Sequence, residues 1–401
     1  MKLIKRTKYL LELESVAGTP DIKVITGIRR AGKSKLMDAF AAEIAERDPG
    51  ANIVHVNFNL TEFEELLEYH ALENYAEGCY DSSKDNYLLV DEIQMCDGFE
   101  KAINSLHAKE KYDIYVTGSN AFLQSSDLAT LFVGRTYELH ILPFSFAEYL
   151  AYYPSDNPYA SLSSYITQGG MAGSYLYTTE EQKARYINTE VLNALVVRDI
   201  VNKYKIRNEP LLHELIDFMM DNVGNLLSAQ SIANALAQGK TKADPKTIKS
   251  YMGYLCRAFA FYKVRRYDIR GKRYLQTEDK FYLSDHSFKY ARLGTKDMDY
   301  GRVLENIVAC ELIRRGYEIY VGKLHGKEVD FVAMKQGRRE YIQVSYDISE
   351  PKTFDREVAP LLAIRDAYPK TIIARTYQPE RQHEGIRIID AADWLLDTQG
   401  S

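Results

Sequence analysis

One tryptophan, four cysteines and eleven prolines are the scarce residues of this 401-residue chain. The cysteines, Cys79, Cys96, Cys256 and Cys310, stand far apart, with no pair at metal-ligand spacing. That excludes a zinc scaffold or a disulfide framework and points to free thiols in a reducing compartment. No run approaches the ~18 apolar residues of a membrane span. The start, Met1 to Glu14, is charged and interrupted, without the apolar core of a signal peptide. The expectation is a cytoplasmic protein with no membrane partner. Positive charge is not in surplus either: the formal net charge is −5, so any nucleic-acid contact must come from a local patch. The one excess is tyrosine, at 31 residues, for which composition offers no mechanism. The length exceeds what one core organises and implies two or three domains.

Against these absences, residues 24–34 read Val-Ile-Thr-Gly-Ile-Arg-Arg-Ala-Gly-Lys-Ser. Gly27 and the run Gly32-Lys33-Ser34 fit G-x-x-x-x-G-K-[ST], the phosphate-binding loop. The apolar run Lys23 to Thr26 reads as the strand before it, and Ser34 to Glu46 as the helix after it. Glycines let successive N–H groups turn toward phosphate oxygens, which the helix N-terminus also attracts. Lys33 is expected to reach the β- and γ-phosphates, and Ser34 to give a hydroxyl to Mg²⁺. Arg30 and Lys35 complete the candidate nucleotide-binding set. The alternative, a mere glycine-rich turn, does not account for the strand–loop–helix setting.

Tyr87 to Val90 is an apolar strand that ends in Asp91 and Glu92, ~60 residues past the loop. Such a strand aims Asp91 at the metal through water, and Glu92 can polarise the attacking water. A third strand, Tyr112 to Val116, ends in Thr117-Gly118-Ser119-Asn120. Ser119 and Asn120 are candidates to sense the γ-phosphate; an ordinary turn is the alternative. The segment Leu131 to Thr136 brings out Arg135, a candidate to stabilise transition-state charge within the chain or across a subunit interface of an oligomer. A surface salt bridge is the competing role. Strand–helix alternation implies an α/β fold with a parallel sheet and the site at strand C-terminal ends.

These runs, with Leu-Pro-Phe-Ser-Phe-Ala-Glu-Tyr after them, resemble the prokaryotic AAA-type ATPases that carry a C-terminal domain related to PD-(D/E)XK nucleases. The resemblance extends over nearly the whole chain. It implies ATP and Mg²⁺ as cofactors, phosphate-loop roles for Lys33 and Ser34, and metal and water roles for Asp91 and Glu92. It also implies a sensor role for Asn120 and a finger role for Arg135. ATP rather than GTP follows from the family, and no guanine-specific N/T-K-x-D run follows the core.

Residues from about 143 to 207 read as helical, including Gly169-Gly170-Met171 and Val197-Arg198-Asp199-Ile200, with Arg198 a further candidate nucleotide sensor. Then come an amphipathic helix from Leu211 to Met220, a second capped by Ser228, and a third opened by Pro245. Two strands, Phe261 to Tyr267 and Arg273 to Thr277, close the segment. Three helices and a hairpin are the order of a winged helix-turn-helix. The hairpin carries Lys263, Arg265, Arg266, Arg270, Lys272 and Arg273, a patch that fits the phosphates of double-stranded DNA. A solvated hairpin used for protein packing is the other reading.

In the last third, a helix from Gly301 to Arg315 carries Glu305. The strands Glu328 to Ala333 and Tyr341 to Tyr346 follow. This is the helix–hairpin layout of PD-(D/E)XK nucleases, in which acids on helix and strands hold Mg²⁺ and a strand lysine assists water. Glu305 and Asp330 fit their slots. Gln343 replaces a metal-binding carboxylate and Ser345 the lysine, and neither can do the lost work. Glu328, two before Asp330 on the same strand face, is the one substitute. The expected organisation is an ATP-binding core over 1–150, a helical extension over 151–207, a winged-helix-like module over 208–285, and a degenerate restriction-endonuclease-like α/β domain over 286–401. Coupling of ATP hydrolysis to DNA is the leading expectation, an ATP-gated switch for a protein partner the second, and an ATP-dependent nuclease the third.

Overall fold

The computed structural model describes residues 3–118, 132, 134–239, 241–295 and 298–397. The chain divides into two compact units, 1–141 and 142–401. Among the described residues no helix is long and apolar enough to cross a membrane.

The first unit opens with helix α1 (Thr7–Ser15), then alternates strand and helix: β1 (Ile22–Thr26), α2 (Lys33–Arg47), β2 (Asn52–Asn57), α3 (Tyr69–Cys79), β3 (Asn86–Asp91), α4 (Phe99–Ala108), β4 (Asp113–Thr117) and β5 (Thr136–His140). The strands form one parallel sheet in the order β2-β3-β4-β1-β5. β3 reads as a continuous apolar run from Tyr87 to Val90 because helices cover both faces of a parallel sheet. Val54, Val56, Leu88, Val90, Ile114 and Val116 pack with Leu72 of α3 and Ile103 and Leu106 of α4 in one core. Lys23 interrupts β1 yet is fully buried. Its Nζ pairs with Asp113 Oδ1 on the neighbouring strand at 2.5 Å and donates to the Thr19 carbonyl at 2.6 Å. A buried ammonium is tolerated there only because both bonds are made.

The second unit begins with the helices Phe146–Tyr152, Pro158–Gln168 and Glu180–Tyr186, then a π-helical stretch from Ile187 to Val201. Tyrosines Tyr149, Tyr153, Tyr165 and Tyr175 form a ring cluster here, with centroids 5.2–5.7 Å apart in four pairs. Tyr165 donates its hydroxyl to the Phe144 carbonyl (2.7 Å) and Tyr175 to that of Gly169 (2.5 Å). Part of the tyrosine excess thus has a physical use: large apolar rings whose polar tips satisfy irregular backbone.

Next come the helices Glu209–Asp221, Ala229–Gln238 and Pro245–Arg257, with β6 (Leu226–Leu227) between the first two. Ser228 caps the second helix as expected, accepting from Ser231 N at 3.0 Å. The strands β7 (Phe261–Asp268) and β8 (Arg273–Leu283) follow, then the helices Ser287–Leu293 and Tyr300–Arg314. The chain continues through β9 (Glu318–Leu324), β10 (Lys327–Lys335), β11 (Arg338–Ser345), the helix Pro351–Leu362, β12 (Lys370–Ala374), β13 (Arg381–His383), β14 (Ile386–Asp390) and the helix Ala391–Leu396. All nine strands form one sheet, β13-β14-β12-β11-β10-β9-β7-β8-β6.

That sheet runs across the boundary expected between a winged-helix-like module ending at 285 and a domain beginning at 286. β7 pairs with β8 but also runs parallel to β9, through Arg266↔Val321 to Asp268↔Lys323. The hairpin therefore continues into the strands after residue 286. β9 itself was hidden in the sequence, being a short run at the end of a helix with lysine and glycine inside it.

Candidate functional site

β1 delivers the chain into the phosphate loop, and Gly27 turns it with φ +143°. A Cβ there would lie 2.2 Å from the Ile141 carbonyl oxygen, so only glycine fits. Gly32 has φ +97° in open space, so its glycine is needed for backbone handedness and not for room. Gly32 also caps α2, so the amide dipoles of the first helical turn face the loop. Lys33 is buried, and its Nζ donates to the carbonyls of Gly27 (2.9 Å) and Ile28 (3.3 Å). The ammonium thus arches back over the loop, where a phosphate would be cradled.

β3 carries Asp91 to the same place. Asp91 is fully buried, accepts hydrogen bonds from Thr117 Oγ1 and from Ser34, and has one oxygen, Oδ2, without a protein partner. Burial pushes its carboxyl above the usual carboxylate range, against the pull of the Ser34 and Thr117 bonds. An orphan buried oxygen beside a serine hydroxyl fits a hard divalent cation, which finishes its shell with phosphate and water. Glu92 follows with left-handed φ of +57°; its N–H donates to Thr117 Oγ1 (3.1 Å) and its Oε2 accepts from Gln94 Nε2 (2.6 Å).

Thr117 therefore links both acids from the tip of β4. It stood in the run that suggested a sensor, although Ser119 and Asn120 were the residues chosen; both lie outside the described residues. Four further residues had no role assigned from the sequence. Arg6, nearly buried, lies over the Tyr9 ring (4.5 Å) and donates from Nη1 to the carbonyl of Ala31 in the loop (3.0 Å). Thr26 Oγ1 meets Glu138 Oε1 (2.8 Å) and His140 Nδ1 (3.1 Å) at the end of β5. Burial raises the Glu138 carboxyl, and burial with the nearby Lys33 charge lowers His140 to about 4.

Arg30 is exposed with φ +65°, and Lys35 is exposed and paired with Asp38 at 2.9 Å. Arg135 precedes β5, and its carbonyl accepts from Ile22 at the start of β1. Since β1 and β5 are parallel, Arg135 sits at the opposite end of β1 from Gly27, roughly 15 Å along the strand. Arg198 falls in the π-helical stretch of the second unit.

In the second unit, the helix Tyr300–Arg314 and strands β10 and β11 bring Glu305, Glu328, Asp330 and Gln343 together. The surprise is Lys280 of β8, which is 3% exposed: its Nζ lies 2.8 Å from Glu305 Oε1, 2.7 Å from Glu328 Oε1 and 3.8 Å from Asp330 Oδ1. Tyr282 donates its hydroxyl to Glu305 Oε1 (2.6 Å), and Val344 N–H donates to Asp330 Oδ2 (2.8 Å). Gln343 accepts from Asp330 N–H (3.3 Å) and donates to Glu357 Oε2 (2.8 Å), a further carboxylate on the helix Pro351–Leu362. A polar cavity of about 370 Å³ opens beside Glu305, Asp330, Gln343, Arg356 and Glu357.

The basic hairpin is partly neutralised. Lys263 pairs with Asp279 (2.9 Å), Arg273 lies 3.7 Å from Asp268, and Arg265 stacks over Tyr274 (5.3 Å). Arg266 is half-buried on the other strand face, while Arg270 and Lys272 stand exposed at the tip. Six residues that read as one patch thus divide between strand faces, ion pairs and turn.

Comparison with known proteins agrees with the first unit. The AAA-domain family profile matches residues 19–150, and a domain of unknown function (DUF8612) matches residues 159–299. An uncharacterised protein of Haemophilus influenzae is 36% identical over 98% of this chain and 99% of its own length. The uncharacterised protein MJ1544 of Methanocaldococcus jannaschii is 28% identical over 89% of this chain and 82% of its own. Among solved structures, the Walker-type ATPase PABY2304 of Pyrococcus abyssi covers 72% of this chain and 95% of its own, at 15% identity and a TM-score of 0.46.

Proposed function

Because this chain belongs to the AAA-domain family of P-loop ATPases, we propose that it hydrolyses ATP to ADP and phosphate with Mg²⁺ and couples the cycle to DNA. The observation that carries the ATPase is the convergence of Lys33, Ser34 and Asp91, with one Asp91 oxygen left without a protein partner. Ser34 and Asp91 are the residues to hold Mg²⁺, which when bound neutralises phosphate charge. Lys33 releases the Gly27 carbonyl and takes the β- and γ-phosphates in its place. Glu92, held on one oxygen by Gln94, uses the other to accept a proton from the attacking water.

The DNA role rests on Arg270 and Lys272 at the exposed hairpin tip, and on three helices and a hairpin following one another in the order of a winged helix-turn-helix. The helix and strands that gather Glu305, Glu328 and Asp330 support a nuclease-related, catalytically degenerate domain. The second reading, an ATP-gated switch for a protein partner, is favoured by the ion pairs that quench Lys263 and Arg273. Steady-state ATP hydrolysis with and without double-stranded DNA, with Lys33→Ala as the blank, tests both. Stimulation that charge reversal at Arg270 and Lys272 removes supports the DNA role. Hydrolysis indifferent to DNA leaves the switch, and no hydrolysis above the blank overturns the ATPase.

A further inference from the structure

We propose that the Lys280 ammonium is the resident cation of the Glu305–Glu328–Asp330 cluster, occupying the place a divalent ion takes in nuclease sites, so that the second unit works without a metal. The inference rests on the nuclease-related reading of the helix–hairpin layout, but its chemistry is independent of the ATP site.

The donor set does not fit a divalent ion. Lys280 Nζ lies 2.8 and 2.7 Å from Glu305 and Glu328, the spacing of charge-assisted N–H···O bonds. A Mg²⁺ ion needs oxygens at about 2.0–2.1 Å around a near-octahedral shell, so ammonium and ion compete for one place. Two of the carboxylate oxygens also accept from other protein groups. Glu305 Oε1 already accepts from both Lys280 and Tyr282, and Asp330 Oδ2 accepts from Val344 N–H. Gln343 does not offer its carbonyl to the cavity. The Asp330 N–H fixes that oxygen, and the Glu357 carboxylate fixes the NH₂.

The origin of the lysine explains why the sequence concealed it. A nuclease lysine is sought two residues past the strand acid, where Ser345 stands. Lys280 comes instead from β8, before the helix that carries Glu305. A tethered ammonium does what an ion does for burial: it compensates several carboxylates in a low-dielectric place. It cannot accept water as a ligand or lower its pKa, so the hydrolytic chemistry is lost while the polar cavity is kept.

The test is Mn²⁺ binding to the full-length chain without nucleotide, read by electron paramagnetic resonance, for wild type, Asp330→Asn, Lys280→Met and the double variant. The expected result is the same Mn²⁺ occupancy in wild type and Asp330→Asn, and one additional Mn²⁺ per chain in Lys280→Met that the double variant loses. Wild-type Mn²⁺ binding that Asp330→Asn removes would overturn the proposal, as would a folded Lys280→Met that gains no ion. Should Lys280→Met fail to fold, the wild-type and Asp330→Asn pair still decides. Lys33→Ala, which tests the ATPase, leaves this comparison untouched, so failure of one reading is distinguishable from failure of the other.

Discussion

Arg6 acts on the phosphate loop from outside. Because a trans peptide sets its C=O and the next N–H on opposite sides, holding the Ala31 carbonyl orients the Gly32 N–H away from Arg6. That is the direction in which a phosphate would be met. Arg6→Gln therefore removes a charge-assisted bond that fixes one donor but touches no reacting atom. The expected effect is a rise in KM for ATP of about 5- to 30-fold, from about 1–2 kcal/mol, with kcat nearly unchanged. Steady-state kinetics reads the split; a fall in kcat at constant KM would give Arg6 another role. Nothing in the sequence singles out Arg6, because its partner is a backbone carbonyl 25 positions away. Lys33, Ser34 and Asp91 were legible because phosphate chemistry dictates both residue type and spacing. Thr117 was half legible: its strand tip was marked, its function as the link between Asp91 and Glu92 was not.

Elements were legible where periodicity was strong, and pairing partners were not. β3 and β4 were read close to their observed spans, while β5 was missed because it contains Glu138 and His140 where an apolar run is expected. Those residues have a testable consequence. His140 titrates near 4 in the folded chain against an ordinary 6.5, so between those values the unfolded chain binds a proton that the folded one refuses. Stability therefore falls as pH drops from about 6.5 to about 4. The denaturation midpoint followed across that window should fall less steeply for His140→Gln, by up to one proton. Equal slopes would show that the imidazole is not held neutral. The Gly169-Gly170 pair shows the opposite balance, visible in sequence but without an assigned task. Gly170 donates its N–H to Asp285 Oδ2 at 2.7 Å, and a Cβ on it would lie 2.3 Å from the Phe144 carbonyl oxygen. Gly170→Ala should cost about 1–3 kcal/mol of stability by overpacking, measured by urea unfolding. A neutral substitution would mean that the Phe144 segment yields freely.

At the scale of the whole molecule, the decisive feature is that β6, β7 and β8 belong to the same sheet as β9 to β14. A boundary between residues 285 and 286 follows naturally from the sequence, where three helices and a hairpin end and a helix–hairpin pattern begins. Strand order across a sheet is a long-range property that local patterning does not encode, so two modules were read where one sheet exists. Cutting there would expose the β9 edge that β7 covers, a row of open backbone donors and acceptors prone to association. It would also remove Lys280 and Tyr282 from Glu305, and strip Asn306 of the Leu283 N–H (2.7 Å) and carbonyl (2.9 Å) that satisfy it. Buried groups left this way each carry a desolvation penalty of about 1–3 kcal/mol, more for the charged one. A fragment spanning 286–401 should therefore lack a cooperative urea transition and self-associate, whereas 142–401 should unfold cooperatively as a soluble species. Circular dichroism during urea titration, with sedimentation to read association, distinguishes them. A monomeric, cooperatively folding 286–401 would show that the β7–β9 pairing joins two independent domains and contributes little to the stability of either.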